Sequence, residues 1–311
     1  MIVYREFSSL TNDLGVSAKA LYALSNHLTS HYHRVSIPKK NGETRELNVP
    51  DDFLKSVQKK ICDKLLCYME VSPYATAYKY GASTVKNARV HLGKRDVLKL
   101  DIRHFFDRII YPLVKERAFP SEIYSENIRV LLSIICTYKD GLPQGAPTSP
   151  FISNIIMKDF DNKVGKWCEK KGICYTRYCD DMTFSGELDK EKIIRFVSRE
   201  LKRMGFYLNK KKTVFLSDGR QKSVTGIVVN EKLNVPKCYR KDIRQTMYYC
   251  MNYGIESHLE KIGCPFSTEE FLVKMLGKIN YVLSVDNDNE EMLKYKQFLT
   301  EFKKSKSRGI L

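Results

Sequence analysis

The chain lacks most of what would tie it to a membrane or an oxidising compartment. In 311 residues, no run approaches the ~20 apolar positions of a membrane span. The first ten residues carry Arg5 and Glu6 where a secretory leader would be apolar. The expectation is a cytoplasmic protein with no membrane partner. The nine cysteines are odd in number, scattered and without a CxxC pair. Cys62/Cys67 and Cys174/Cys179 are spaced CxxxxC, yet no histidine pair follows at zinc-finger distance. They read as reduced, mostly buried thiols, and structural zinc is not expected. No internal repeat and no low-complexity linker is visible, which argues against a solenoid. Acidic residues are in deficit, with 36 Asp and Glu against 53 Lys and Arg, a net charge of +17. Such a field attracts polyanions and releases their counterions on binding. Nucleic acid is therefore the first partner to consider, and an anionic membrane surface the competitor.

Apolar material is ample, at 43% of residues, and the length suits one catalytic body plus a small appended domain. Val16 to Leu28 reads as a helix capped by Ser17. Alternating apolar residues on either side of Asn41-Gly42 signal a hairpin. Asp51 to Met69 has helical spacing of Leu54, Val57, Ile61 and Leu65, and a further helix is expected around Asn87 to His91. Asp96 to Ile102 reads as a strand, and Ile128 to Thr137 and Ser149 to Cys168 as helices. Cys174 to Ser185 reads as two strands joined at Cys179-Asp180, followed by a helix over Lys190 to Met204. Short strands are expected near Tyr207, Val214, Val224 to Val229 and Leu233 to Val235. Beyond Pro236 the pattern turns helical and basic. Mixed strands and helices followed by a helical tail define an α+β chain, with a change of domain near 230.

Three acidic positions stand out. Asp101 ends the apolar strand Val97-Leu-Lys-Leu-Asp, and Asp180 and Asp181 sit at the turn of a strand pair. Carboxylates at strand ends converge readily. Hard cations such as Mg²⁺ take such oxygen ligands, with nucleotide phosphates completing the shell. Two metals about 4 Å apart assist an in-line displacement at phosphorus. An isolated Asp-Asp in a hairpin is more often simple turn chemistry, so the flanking residues decide.

Those flanks are Asp101-Ile-Arg-His-Phe-Phe-Asp, Leu142-Pro-Gln-Gly-Ala-Pro-Thr-Ser-Pro and Tyr178-Cys-Asp-Asp. In order and spacing they resemble motifs A, B and C of reverse transcriptases, a resemblance that runs from about residue 35 to 235. Asn87-Ala-Arg-Val-His and Val224-Thr-Gly further resemble two motifs of the bacterial retron enzymes. The resemblance implies a right-hand polymerase with fingers and palm over 1–230 and a small helical, RNA-binding thumb over 231–311. It implies two Mg²⁺ ions held by Asp101, the carbonyl of Ile102, Asp180 and Asp181, and Cys179 stands where the family usually has Ala. Phe106 becomes the wall against the sugar 2′ position, and Phe105 an ordinary core residue. Gln144 and Gly145 belong to the nucleotide-side loop, where Gly145 permits close backbone approach and Thr148-Ser149 cap the following helix. Lys39 and Arg45, on opposite arms of the hairpin, would neutralise the triphosphate, against the alternative of a charged edge strand. Lys212 matches the lysine of motif D, against the alternative of a solvated triple-Lys run. Asn87, His91, Val224, Thr225 and Gly226 would serve RNA recognition, against a capping Asn and a core His. Arg240, Lys241, Arg244 and Tyr248 mix basic and aromatic side chains on one thumb helix suited to phosphates and exposed bases.

The implied activity is RNA-directed DNA synthesis from dNTPs on a structured noncoding RNA (msr-msd). That RNA serves as template and as 2′-hydroxyl primer, yielding branched msDNA in phage defence, alongside an effector protein. Two rivals stand beside it. One is another compact bacterial reverse transcriptase, of the group II intron or diversity-generating kind, and the other is an RNA-binding scaffold with a dormant palm.

Overall fold

The computed structural model describes residues 3–38 and 42–307 and resolves the chain into two compact units. The first holds the residues up to 82 and 96–215. The second holds 83–95 and 216 onward. The class is α+β, as the sequence pattern requires.

Unit one is organised by a four-stranded sheet in the order β4(Cys174–Tyr178), β5(Asp181–Gly186), β3(Asp96–Asp101), β6(Val214–Leu216). Strand β3 lies inside the sheet, and its run of Val97, Leu98 and Leu100 is fully buried, the signature of a strand covered on both faces. It pairs antiparallel with β5, from Asp96 opposite Gly186 to Asp101 opposite Asp181. Strands β4 and β5 form the expected hairpin, with Tyr178 opposite Asp181. A second hairpin, β1(Tyr32–Pro38) and β2(Thr44–Pro50), pairs Pro38 with Thr44, and its turn residues 39–41 lie outside the described residues.

Helices complete this unit: α1(Phe7–Leu14), α2(Ala18–Asn26), α3(Asp52–Lys64), α5(Tyr111–Arg117), α6(Glu126–Cys136), α7(Thr148–Ile156), α8(Lys158–Glu169) and α9(Lys190–Arg203). Ser17 caps α2 by accepting from the Ala20 amide at 3.3 Å, as expected. Helix α3 stops at Lys64 and gives way to a 3₁₀ turn, so the expected helix to Met69 is shorter by a turn. The single helix expected over 149–168 is two, broken at Met157. The expected Thr148-Ser149 cap does not form. Pro147 occupies the N-cap, which puts Ser149 inside the first turn, and its hydroxyl donates to the Pro143 carbonyl at 2.8 Å. The strands expected near Tyr207 and Leu233–Val235 shrink to single bridges, Ile102 with Leu208 and Val228 with Asn234. Helices α1 and α5 were not anticipated.

Unit two joins α4(Thr84–Arg89), the small hairpin β7(Ser223–Val224)/β8(Ile227–Val228), and the helices α10(Lys237–Tyr253), α11(Ile255–Lys261), α12(Thr268–Val285) and α13(Glu290–Ser307). Its core is Ile243, Met247, Cys250, Leu272, Ile279, Val282 and Leu299. Ser267 and Glu270 form a reciprocal capping box at α12. Residues 83–95 and 216–230, read from sequence with the fingers and palm, group here by contact. The Gly93 amide donates to Val229 at 3.0 Å, and the Lys222 ammonium to the carbonyls of Lys94 and Arg95 at 2.7 and 3.0 Å. No described helix is long and apolar enough to cross a membrane.

Candidate active site

The β3–β5 register sets Asp101 directly across from Asp181, and cross-strand neighbours approach within about 5 Å at Cβ. Asp180 occupies the turn before β5, and its carbonyl accepts from the Ile102 amide at 3.0 Å. The β4–β5 turn has only two residues, with Cys179 first at φ +62°. A two-residue hairpin with a left-handed first position is usually filled by Gly, so Cys179 bears backbone strain there.

A buried network supports this turn. Arg177 and Asp161 are both fully buried. The guanidinium donates to Asp161 from Nε at 2.9 and 3.0 Å and from Nη2 at 2.6 Å, to the Cys179 carbonyl at 2.9 Å, and to Asn154 at 3.2 Å. The Tyr175 hydroxyl adds a bond to Asp161 at 2.9 Å. Beside it, the segment 72–78 runs parallel to β4. The Thr76 amide donates to the Arg177 carbonyl, and the Arg177 amide to Tyr74, both at 2.8 Å. Sequence reasoning passed over Arg177, Asp161 and Tyr78. A lone arginine inside the strand Cys174-Tyr-Thr-Arg-Tyr was the available signal.

The aspartates border a cleft of about 630 Å³ that is also lined by Arg45, Tyr78, Phe106, Gln144, Tyr178 and Lys212. Desolvation, then repulsion from Asp101, raises the Asp180 carboxyl above its usual range. Desolvation, then Asp180 and Asp101, pushes Asp181 up to about 6. Burial pushes the Cys179 thiol up to about 12. Lys212 donates to Asp101 at 2.6 Å. Desolvation alone would lower its ammonium, but the bond to Asp101 and the neighbouring carboxylates raise it. Three crowded carboxylates with one ammonium among them call for a cation, and their all-oxygen donors suit Mg²⁺. Among the described residues, however, no three His, Cys, Asp or Glu side chains stand close enough to form a ready ligand cluster.

Phe105 is buried against Phe206, while Phe106 is half-buried and lines the cleft. Gly145 has φ +151°, and a Cβ there would meet the Asn48 carbonyl of β2 at 2.6 Å, so close approach is a requirement of this loop. Arg45 is exposed on β2, and Lys39 lies outside the described residues. In unit two, Asn87, His91 and Val224 are fully buried. The Asn87 amide reaches the Thr225 hydroxyl at 3.5 Å, and that hydroxyl donates to the Thr84 carbonyl at 3.1 Å. Thr225 and Gly226 have φ of +47° and +82°. The two motifs, more than a hundred residues apart in sequence, thus meet on α4 and the β7–β8 turn. On α10, Arg240 donates to the Val235 carbonyl at 3.2 Å, Arg244 is chelated by Glu291 at 2.8 Å, Lys241 is exposed, and Tyr248 is 58% exposed.

Residues 37–273 match the family model described as reverse transcriptase (RNA-dependent DNA polymerase). The chain belongs to that family, and by that membership it is an RNA-directed DNA polymerase. Its relatives narrow the type. It is 29% identical to the retron Mx65 reverse transcriptase of Myxococcus xanthus, over 82% of this chain and 66% of that protein, just under two thirds of its length. It is 29% identical to the retron Ec86 reverse transcriptase of Escherichia coli, over 89% and 84%. It is 31% identical to the Escherichia coli retron Ec83 reverse transcriptase, over 82% and 88%. The chain is a retron-type reverse transcriptase.

Proposed function

We propose that this chain copies a structured noncoding RNA (msr-msd) into DNA, starting from a 2′-hydroxyl of that RNA, and so builds branched msDNA for antiphage defence together with an effector protein. The observation that carries the reading is the convergence of Asp101, Asp180 and Asp181 on one cleft with Arg45, Phe106, Gln144 and Lys212. Asp101, Asp180 and Asp181, with the Ile102 carbonyl, would hold two Mg²⁺ ions. The bound metal supplies charge neutralisation and activation of the attacking hydroxyl.

The chain's own groups do the rest. The Asp161–Arg177 pair fixes the carbonyl of Cys179, and with it the Asp180–Asp181 turn. Arg45, with Lys39, meets the negative charge of the incoming triphosphate. The Phe106 ring closes the space a ribose 2′-hydroxyl would need. Gln144 and Gly145 shape the floor beneath the nucleotide. Lys212 holds the Asp101 carboxylate in place through its 2.6 Å hydrogen bond. Asn87, His91 and Val224-Thr-Gly fix the shape of an RNA-recognition element from within, and α10 offers Arg240, Lys241, Arg244 and Tyr248 to the RNA.

The test is to express the chain with its neighbouring DNA and to isolate small nucleic acids, with and without Asp180→Ala and Asp181→Ala combined. A short DNA that survives RNase, shifts in length when its RNA branch is removed, and is lost in the variant is the expected result. Extension of an annealed primer without any such DNA would keep the polymerase and reject the retron product. Absence of both, with RNA binding retained, would leave a dormant scaffold.

A further inference from the structure

Helices α8 and α9 run antiparallel, as their contacts show. Lys163 meets Glu200 at 2.6 Å and Trp167 stacks on Phe196 at 4.4 Å between centroids, so the α8 C-terminus lies toward the start of α9. Helix α8 packs on β4 and α9 on α8. Their outward faces are basic. On α8, Lys163, Lys166 and Lys170 are exposed at helical spacing, over about 10 Å of axis. On α9, Lys192, Arg195, Arg199 and Arg203 are exposed at spacings of three and four, over about 16 Å. Two packed helices lie about 8–10 Å apart, so the cations form two adjacent rows.

The rows are built rather than scattered. Glu200 is only 5% exposed, yet it accepts from Lys163, Arg199 and Arg203, each more than half exposed. One buried carboxylate thus holds three surface cations in place and leaves the group net positive. Between the rows, Arg199 lies over the Phe196 ring at 5.4 Å and Lys171 over Trp167 at 5.3 Å, which holds these long side chains extended. Helix α8 feeds β4 at Cys174, the end of that strand opposite the Cys179-Asp180 turn. The Lys166–Lys170 end of the face is therefore remote from the catalytic aspartates.

We infer that the paired outer faces of α8 and α9 form a second nucleic-acid surface, which grips the backbone of a double-helical RNA segment outside the catalytic cleft. The partner must be a polyanion with regularly spaced charge, since the rings between the rows are half-buried and capped and offer no apolar patch for a protein. Double-helical RNA is read mainly through its shape and phosphates, which two adjacent rows of Lys and Arg cations match. The inference rests on the reading of the chain as a polymerase on a structured RNA.

The test uses the full chain and two synthetic templates that share a short primed region, one of them extended by an RNA hairpin of about 20 base pairs. Binding is measured without nucleotides over a range of salt. Wild-type protein is expected to hold the hairpin-bearing template more tightly. In Lys166→Glu combined with Arg195→Glu, that gain falls about tenfold and the salt slope by about two, one per cation removed. The neutral pair, Lys166→Gln with Arg195→Gln, falls in the same direction by less. Both variants extend the hairpin-free template as wild type does and melt at the wild-type temperature. An unchanged gain and slope overturn the inference, and so does an equal loss on both templates. Failure of the wild-type protein to extend either template would reject the polymerase reading while leaving the binding comparison intact.

Discussion

Replacing Arg177 by Met should strip the Cys179-Asp180 turn of its support. Arg177 and Asp161 are fully buried, and the substitution leaves the Asp161 carboxylate with the Tyr175 hydroxyl as its remaining donor among the bonds described. Breaking one side of a buried pair costs about 3–5 kcal/mol, a large share of the roughly 5–15 kcal/mol that holds a protein folded. At about 2–4 °C per kcal/mol for a body of this size, the melting temperature should drop by roughly 10 °C. The single tryptophan, Trp167, sits on α8 with Asp161 and reports unfolding of this unit by its fluorescence in urea. Replacing both partners, Arg177→Met with Asp161→Leu, removes the stranded charge and should recover most of the loss, to within about 1–2 kcal/mol of wild type. Primer extension should not recover with it, because the Cys179 carbonyl still lacks its donor. A single substitution costing under about 1 kcal/mol, or a double variant as unstable as the sum of the singles, would refute the reasoning.

Phe106→Ala should open the wall of the cleft and lower discrimination against ribonucleotides by about 10–100-fold, read by competing rNTP and dNTP incorporation; unchanged discrimination would remove Phe106 from that role. Gly145→Ala combines a φ of +151° with a Cβ 2.6 Å from the Asn48 carbonyl, and should cost about 1–3 kcal/mol in urea unfolding; a neutral result would show that β2 yields. Burial, and then Lys94, hold His91 down at about 4. The unfolded chain therefore binds the extra proton first, and stability is lost as pH falls from about 6.5 to about 4, by about 3 kcal/mol at most; His91→Gln should flatten that part of the pH profile, and an unaltered profile would assign it to other groups. Because Asp180 and Asp181 are raised, Mg²⁺ added at pH about 5.5 should release protons, whereas at pH about 8 it should release almost none, measured by calorimetry in buffers of different ionisation enthalpy; equal release at both would mean that other groups take the ion.

The strand pair that carries Asp101, Asp180 and Asp181 was legible because its signals are local: an apolar run ending in Asp101, and a turn at Cys179-Asp180 between β-rich segments. Gly145 was legible for the same reason, since a glycine set between Pro143 and Pro147 marks the one point where a stiff loop keeps backbone freedom. Lys212 was weaker in sequence, one lysine of three picked by its match to motif D, and the fold adds its bond to Asp101. Arg177 was missed because its partners lie on other elements, and periodicity says nothing of which buried charge meets which. The break at Met157 was hidden because residues on both sides keep helical spacing. The grouping of 83–95 with 216–230 was out of reach for the same reason as Arg177, as it rests on hydrogen bonds between residues more than a hundred positions apart, such as Lys222 with Lys94. Arg244 was read as one of the RNA-facing side chains of α10, and its pairing with Glu291 on α13 appears only when the helices fold together.

The chain passes from the first unit to the second at 82–83, returns at 95–96, and leaves again at 215–216. On a ribosome, the segment 83–95 therefore emerges more than a hundred residues before its partners. Until the stretch around Val224 to Val229 is synthesised, Asn87, Ala88 and His91 have no interior to enter. The first unit can close first, but α4 waits for its partners, and a chain cut short before residue 216 would leave that helix without them, for proteases or chaperones to find.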